Sequence, residues 1–213
     1  MRAIVRAIAA VGLTLALATA PTATATTLAP LTIEQIADAS TWVIRGTVTE
    51  VWTDLDERGK VWTHARVRVA QSYKGQDAPS EVVIDQMGGT FGAVTTHVPG
   101  SAGFSVDEDL FAFVYQSPRT GRTVLVSKYL GKYTVRRDPE TGDLYGRRWE
   151  AKPGETFDAR FLPHPAPENR HDLAALTERI ARRVEAGWDG QPIPGVDDSE
   201  LQRINATERR MPR

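Results

Sequence analysis

The sequence contains no cysteine among its 213 residues. This absence excludes disulfide bonds, metal sites built on thiolates, a cysteine nucleophile and lipid attachment through a bacterial N-terminal cysteine. Small exported domains often depend on disulfides for their stability. A folded domain in this chain must therefore be held together by its hydrophobic core, and the chain is long enough to form one.

An excess of one charge sign is also absent. The chain has 26 lysines and arginines against 27 aspartates and glutamates, which gives a formal net charge of -1. Domains that bind nucleic acid are usually clearly basic, because they neutralise phosphates. The composition therefore argues against nucleic acid as a partner.

No apolar run is long enough to span a bilayer, which needs about 20 residues. The longest run extends from Ala7 to Ala18, follows Arg2 and Arg6, and precedes the small residues Ala23-Thr24-Ala25. This order is typical of a secretory signal peptide, and the alternative of an uncleaved anchor is disfavoured by its length. We predict a signal peptide over residues 1–25, a disordered lead over residues 26–30, and a secreted or periplasmic protein of bacterial type. We expect no transmembrane segment in the mature chain.

Motifs for metal binding are missing as well. The four histidines lack the spacing of a preformed zinc site, and there is no HExxH sequence. The best local group is His164, Glu168, His171 and Asp172, which is better explained as a loop that leads into a helix N-terminus. Residues 54–59, DLDERG, partly resemble a calcium loop, but Ala65 occupies the twelfth position. We therefore predict a hairpin turn there, with no metal and no cofactor in the protein.

Motifs for hydrolysis are equally weak. Neither Ser101 nor Ser105 lies in a GxSxG context, which a serine nucleophile would favour. Three adjacent acidic residues, 107–109, precede an apolar stretch and are typical of the polar edge of a turn. We predict a binding protein rather than an enzyme.

Two long strands are the clearest structural signal. Residues 42–52, WVIRGTVTEVW, alternate apolar and polar positions, and residues 61–73, VWTHARVRVAQSY, do the same after a turn. We predict an antiparallel hairpin with one buried face. Gly46 is expected where a barrel strand bends. Gly75 allows the reversal after the second strand, and Lys74 before it is expected to remain solvated.

The remaining pattern predicts a barrel flanked by helices. Residues 31–40 predict a short helix with Thr32 as N-cap, and the glycine-rich stretch 87–104 predicts a loop or an irregular edge strand. The apolar residues 110–115 predict a central strand. We expect a mainly β, antiparallel barrel of six or seven strands over residues 31–152. After it we expect a proline-rich connector (153–169), a longer C-terminal helix (170–187) and a flexible tail (188–213). The apolar stripe of this helix consists of Leu173, Leu176, Ile180 and Val184, and Gly187 is expected to end it.

Several of these segments together resemble a known domain. The segments are WVIRGTV at 42–48, YKG at 73–75, the Gly88-Gly89 pair, FSVDEDLFAFVY at 104–115 and LGKYTV at 130–135. Their order resembles an uncharacterised domain of secreted bacterial proteins, and it is similar to the netrin module. The netrin module is an oligonucleotide/oligosaccharide-binding (OB) barrel that also forms the inhibitory domain of tissue inhibitors of metalloproteinases. The resemblance covers Ala37 to Val135 and implies an OB/netrin-like fold.

One departure from that family matters for function. Its metalloproteinase inhibitors chelate zinc through a disulfide-fixed N-terminal cysteine, and this chain has no cysteine. The resemblance therefore implies a role in protease regulation without this mechanism.

The predicted binding surface lies on the outer face of the hairpin. It consists of Arg45, Trp62, His64, Arg66 and Arg68, which combine basic side chains with an aromatic one. Strands of such barrels use this combination to bind nucleic acid or sugars. The alternative is a solvated face on which Trp62 is covered by the C-terminal helix or the proline-rich stretch. Since the compartment disfavours nucleic acid, a protein or glycan ligand is preferred.

These observations lead to a functional hypothesis. We expect an exported, non-catalytic interaction module, and the family resemblance adds regulation of an exported protease. The alternatives are an exported hydrolase or metal-dependent enzyme with an unrecognised site, and a structural envelope protein. The sequence leaves the oligomeric state open.

Overall fold

A computed structural model of the protein describes residues 31–148 and 169–208. The predicted signal peptide, the disordered lead and nearly all of the proline-rich connector lie outside these residues. The helices are α1 (Ile33–Asp38), α2 (Leu173–Ala186) and α3 (Asp198–Glu208), and a short 3-10 helix spans Lys128–Gly131. The strands are β1 (Trp42–Leu55), β2 (Val61–Lys74), β3 (Glu81–Met87), β4 (Gly89–Phe91), β5 (Val94–Thr96), β6 (Asp109–Gln116), β7 (Thr123–Leu125), β8 (Lys132–Arg137), β9 (Leu144–Arg147) and β10 (Arg170–Asp172).

Five strands close into a barrel in the order β1-β2-β3-β7-β6, and β6 pairs back with β1. The closing pair is antiparallel and runs from Trp42 opposite Val114 to Thr47 opposite Asp109. Strands β8, β9 and β10 extend the same sheet beyond β6. The prediction of a mainly β barrel with a short N-terminal helix and a longer C-terminal helix is confirmed. The pairing is not antiparallel throughout as expected, because β3 and β7 run in the same direction where they meet. The described residues form more strands than the six or seven expected, because β4, β5 and β10 are only three residues long.

The core is centred on β6, whose residues Leu110 to Val114 are all fully buried. Phe113 contacts the ring of Phe111 on its own strand and the ring of Tyr133 on β8, with centroids 5.5 and 6.3 Å away. Apolar side chains on both faces of a strand indicate cover on both sides. The central position predicted for this strand from its sequence is confirmed.

Gly46 lies at an irregularity in the pairing of β1 with β2, where the register shifts between Arg45 and Gly46. A β-carbon at this position would lie 2.3 Å from the backbone oxygen of Arg68. The two strands therefore approach each other more closely than a side chain would allow, as expected where a barrel strand bends.

Helix α1 begins as predicted at Thr32, whose hydroxyl accepts a hydrogen bond from the Gln35 backbone N–H, while the Gln35 side chain accepts one from the Thr32 N–H. The expectation that Lys74 is solvated is wrong, because this residue is 3 % exposed. Its Nζ donates to the backbone oxygens of Ala37 and Asp38 at the end of α1, at 2.9 and 3.2 Å. The lysine therefore stabilises the negative end of the helix.

Helix α2 has the predicted apolar stripe, with Leu173, Leu176 and Ile180 buried, and it ends at Gly187 as expected. The flexible tail predicted over residues 188–213 is contradicted where α3 forms. Leu201 of α3 is fully buried, and Asn205 accepts a hydrogen bond from Lys74 Nζ at 3.1 Å.

In the part of the chain that the structure describes, no helix has the length and apolar character needed to cross a membrane.

Candidate functional site

The predicted binding surface is only partly assembled. Trp62, His64, Arg66 and Arg68 share the outer face of β2, as their alternation requires. Arg45 lies at the Arg68 end of this face, because it pairs with Gln71 while Thr47 pairs with Arg68. The β1 residue opposite Trp62 is Asp54, about nine residues further along the strand. Arg45 is instead paired with the Asp109 carboxylate, at 3.1 Å from Nε and 2.6 Å from Nη2.

His64 is buried, at 6 % exposure, which corrects the expectation that it lies open on this face. Its Nδ1 is 2.7 Å from Asp85 Oδ1, and its Nε2 is 3.1 Å from Asp54 Oδ1. The imidazole also stacks on Trp52, with ring centroids 5.0 Å apart. The neighbouring strands β1 and β3 therefore enclose the ring and supply a carboxylate to each of its nitrogens.

The two arginines of this face differ in their surroundings. Arg66 Nε donates to Glu50 Oε2 at 3.0 Å, and its guanidinium lies 5.3 Å from the Trp52 ring. Arg68 is exposed, opposite Thr47 and Glu81. The position of the acidic residues of β1 and β3 beside β2 was not predicted, because it follows only from the strand register. The assembled face is balanced in charge rather than basic.

Trp62 is half-buried beneath Arg122, whose guanidinium lies 4.1 Å from the indole ring. The indole Nε1 donates to Asp56 Oδ2 at 3.2 Å. Within the described residues, a side chain of the loop between β6 and β7 therefore covers the ring. Nearly all of the proline-rich stretch, which was predicted as an alternative cover, lies outside these residues. An arginine above an aromatic face is held by a cation–π attraction.

A group of exposed apolar side chains lies where the β1–β2 hairpin ends. Trp62 pairs in register with Met87, and Phe91 pairs with Val94 across the β4–β5 hairpin. The β4–β5 hairpin is attached to this end, because Thr53 Oγ1 donates to the Thr90 backbone oxygen at 2.8 Å. Four members are 37–48 % exposed. We call this group the hairpin-end surface, and it comprises Leu55, Trp62, Met87, Phe91 and Val94. Trp62 and Met87 share one sheet face, whereas Leu55, which pairs with Val61, lies at the same end on the other face.

A pocket of about 740 Å³ lies between the loop before β6 and strands β8 and β9. Its cationic lining residues are Lys132, Arg136, Arg147 and Arg148, and its acidic ones are Asp107 and Glu108. We call it the Arg148 pocket. Among the described residues, its lining has four cationic groups against two carboxylates. The two carboxylates belong to the acidic stretch that the sequence indicated as the edge of a turn. The cationic residues were not predicted as a site, because strands β8 and β9 come together only through their pairing.

The acidic residues 107–109 do not act together, because Glu108 and Asp109 bind different partners. The Glu108 carboxylate accepts hydrogen bonds from Lys132 Nζ and from the Thr134 hydroxyl, both at 2.5 Å. Asp109 pairs with Arg45, and Asp107 has a left-handed backbone with φ of 67°. Burial lowers the pKa of Lys132, and the hydrogen bond to Glu108 partly opposes that shift.

Arg148 is the most deeply buried arginine of the pocket, at 3 % exposure. Its guanidinium lies 4.5 Å from the centroid of the Tyr133 ring. Burial lowers the pKa of Arg148. An arginine remains protonated in proteins under ordinary conditions, so the pocket contains a buried positive charge.

The other sequence features have structural explanations. In the hairpin turn, the Asp56 carboxylate accepts hydrogen bonds from the backbone N–H groups of Arg58 and Lys60. Asp172 caps α2 by accepting a hydrogen bond from Ala175 N at 2.8 Å, and His171 meets the edge of the Tyr133 ring. His164 and Glu168 lie outside the described residues. Within residues 31–148 and 169–208, no three His, Asp or Glu side chains form a group that could hold a metal ion.

Comparison with known proteins does not assign the chain to a family. A scan of protein-family models finds no match to the chain, and no curated protein matches it closely enough to count as a relative.

Proposed function

We propose that the protein is an exported interaction module that binds another protein through the hairpin-end surface. The observation behind the proposal is the clustering of exposed apolar side chains, Leu55, Met87, Phe91 and Val94, at one end of the barrel. Exposed apolar side chains concentrated at one end of a domain commonly mark an interaction site. Large apolar and aromatic side chains also supply most of the binding energy at protein interfaces.

The rest of the hairpin favours a protein over a glycan or a nucleic acid as the partner. The outer face of β2 is balanced in charge, since Arg66 pairs with Glu50 and His64 lies between Asp54 and Asp85. Charges arranged in this way orient a partner and speed its association more than they add affinity. Trp62 lies beneath the side chain of Arg122 and offers a further aromatic contact at the edge of the surface.

We propose an exported protease as the class of partner. The signal-like N-terminus supports export, and the resemblance to protease-inhibiting barrels supports the choice of a protease. The inhibitors' zinc-chelating cysteine is absent, so regulation proceeds by surface contact rather than by metal chelation.

Two exposed valines provide a matched test. Val94 belongs to the hairpin-end surface and is 48 % exposed, whereas Val106 lies in the loop before β6 and is 54 % exposed. We expect Val94→Ser to reduce recovery of a partner from the native secreted proteins and to weaken the effect of the added protein on secreted proteolysis. Val106→Ser should leave both measurements unchanged, and thermal unfolding of each variant checks that the fold is retained.

Two results would count against the proposal. Equal recovery of every partner by both variants would exclude the hairpin-end surface as the binding site. Loss of a partner with Val94→Ser, but with proteolysis unaffected by the wild-type protein, would retain the binding module and exclude protease regulation.

A further inference from the structure

Arg148 has two nitrogen donors that make no well-formed hydrogen bond in the described structure, although the Tyr133 side chain is close enough to the guanidinium to oppose, in part, the lowering of its pKa by burial. These are Nε and Nη2, and both are shielded from water. Burying an unpaired donor is destabilising, and more so when the group is charged. Buried polar groups that lack partners are rare in native proteins and often belong to functional sites.

The two nitrogens are the pair that forms one edge of the guanidinium. This edge matches the two oxygens of a carboxylate, so that two parallel hydrogen bonds form. Other arginines of the chain use it in this way. Arg45 directs Nε and Nη2 at Asp109, and Arg183 directs them at Asp38. Among the described residues, no carboxylate meets this edge of Arg148.

The surroundings favour an anion with an apolar body. The acidic Glu108 is already bound by Lys132 and Thr134, so it is not available to the Arg148 guanidinium, and the described lining has more cationic than acidic side chains. The wall of the pocket also includes apolar and aromatic side chains, those of Ala102, Val106 and Tyr129. Pockets for small molecules commonly combine such walls with a few polar groups that fix the orientation of the ligand.

We propose that the Arg148 pocket binds a small organic carboxylate, with Arg148 Nε and Nη2 donating to its two oxygens. The body of the ligand lies against Tyr129 and Val106. Since the guanidinium edge is shielded from water, the carboxylate reaches it only when the side chains around it move. The site shares no residue with the hairpin-end surface and does not depend on the function proposed for that surface.

Calorimetric titration of the purified protein tests the proposal with four probes. Benzoate and 3-phenylpropionate carry the carboxylate on an apolar body, benzamide is the neutral counterpart of benzoate, and inorganic phosphate is an anion without that body. We expect saturable binding of at least one of the two carboxylates and none of benzamide. Absence of carboxylate binding, or binding of phosphate in preference to both carboxylates, would overturn the proposal.

Substitution of Arg148 tests the geometry. Arg148→Lys keeps the charge but loses the paired edge, so carboxylate binding should weaken roughly tenfold or more. Arg119→Lys, at an exposed position between β6 and β7, is the matched control and should leave binding unchanged. If both substitutions weaken carboxylate binding equally, or if neither weakens it, the assignment of Arg148 as the binding residue is wrong.

A stability measurement separates a ligand-binding role from a structural one. Arg148→Met retains much of the side-chain stem but removes the buried charge and its unpaired donors. We expect this variant to have a higher melting temperature than the wild type without ligand, and no carboxylate binding. A lower melting temperature would show that Arg148 serves the fold, and would overturn the proposal.

Discussion

At the scale of single residues, burial depends on partners that are distant in sequence. Lys74 is adjacent to a turn and was expected in solvent, but Ala37, Asp38 and Asn205 surround its ammonium. His64 alternates correctly onto the outer face of β2 and is nonetheless enclosed by Trp52 and two carboxylates. Alternation predicts the face of a strand on which a side chain lies. It does not predict what the neighbouring strands place over it.

Glycine at position 75 is a residue-scale feature that the sequence did predict as a reversal, and the structure adds a steric reason. Its φ is +75°, and a β-carbon would lie 2.3 Å from Trp42 Cδ1 and 2.8 Å from the Thr41 backbone oxygen. We predict that Gly75→Ala lowers the free energy of unfolding by about 2–5 kcal/mol, the sum of a left-handed backbone cost and overpacking. Urea unfolding measures this change.

The control for this prediction is Gly59→Ala. Gly59 has nearly the same φ, +70°, but no atom lies within 4 Å of its β-carbon position. This variant should lose only the backbone contribution, about 1–2 kcal/mol. Equal losses at the two positions would mean that the region around Trp42 relaxes and that the steric explanation is wrong.

At the scale of elements, strong periodicity was the reliable guide. The alternation in β1 and β2 and the stripe of α2 predicted those elements, and the apolar residues 110–115 predicted β6. Helix α3 was missed because its apolar residues, Leu201 and Ile204, are few and the preceding segment is rich in glycine and proline. The β4–β5 hairpin was missed because its strands are only three residues long. Short elements are specified by tertiary contacts more than by their own sequence.

The packing of α3 leads to a prediction at this scale. Leu201→Ala should lower the free energy of unfolding by about 2–5 kcal/mol, because Leu201 is fully buried. Gln202→Ala is the control, since Gln202 is exposed on the same helix. Chemical unfolding followed by tryptophan fluorescence provides the comparison. If both variants are as stable as the wild type, the C-terminal region behaves as the flexible tail that the sequence suggested.

Helices α1 and α2 are joined by ion pairs, and one of them predicts a pH dependence. The Arg179 guanidinium hydrogen-bonds to both Glu34 oxygens and is the chief cause of the lowered Glu34 pKa. A carboxyl whose pKa is lower in the folded state stabilises the protein above its unfolded pKa, and that contribution is lost as the pH falls through the folded pKa. The stability advantage of wild type over Glu34→Gln should therefore begin to shrink near pH 4.5, the ordinary value for this group.

Unfolding of both proteins at a series of pH values checks this dependence. The pair is partly exposed, so the effect is modest and should weaken in high salt. In an Arg179→Met background the same comparison should show a clearly smaller pH-dependent difference, since only the weaker contributions of the backbone and Thr32 remain. A difference of undiminished size in that background would assign the effect to those other partners of Glu34.

At the scale of the whole molecule, the fold class followed from the sequence while the two candidate sites did not. The order of strands and turns was sufficient to predict a barrel with flanking helices. The hairpin-end surface depends on a contact between Thr53 and β4, and the Arg148 pocket depends on the pairing of β8 with β9. Both arise from long-range contacts that no motif in the sequence specifies. Sites of this kind become visible only when the chain is folded.

The same architecture predicts how local stability is distributed over the molecule. Strands β1, β2 and β6 pair on both sides and surround fully buried residues, whereas β4 and β5 form a two-stranded sheet with largely exposed side chains. Amides that exchange only on global unfolding should therefore lie in the barrel strands, and those of the β4–β5 hairpin should exchange through local opening. Native-state hydrogen exchange in low denaturant measures both. A hairpin that opens locally can adapt its Phe91 and Val94 to a partner without disturbing the barrel. Protection of β4 and β5 equal to that of β6 would instead make the hairpin-end surface a rigid part of the fold, and would contradict this division.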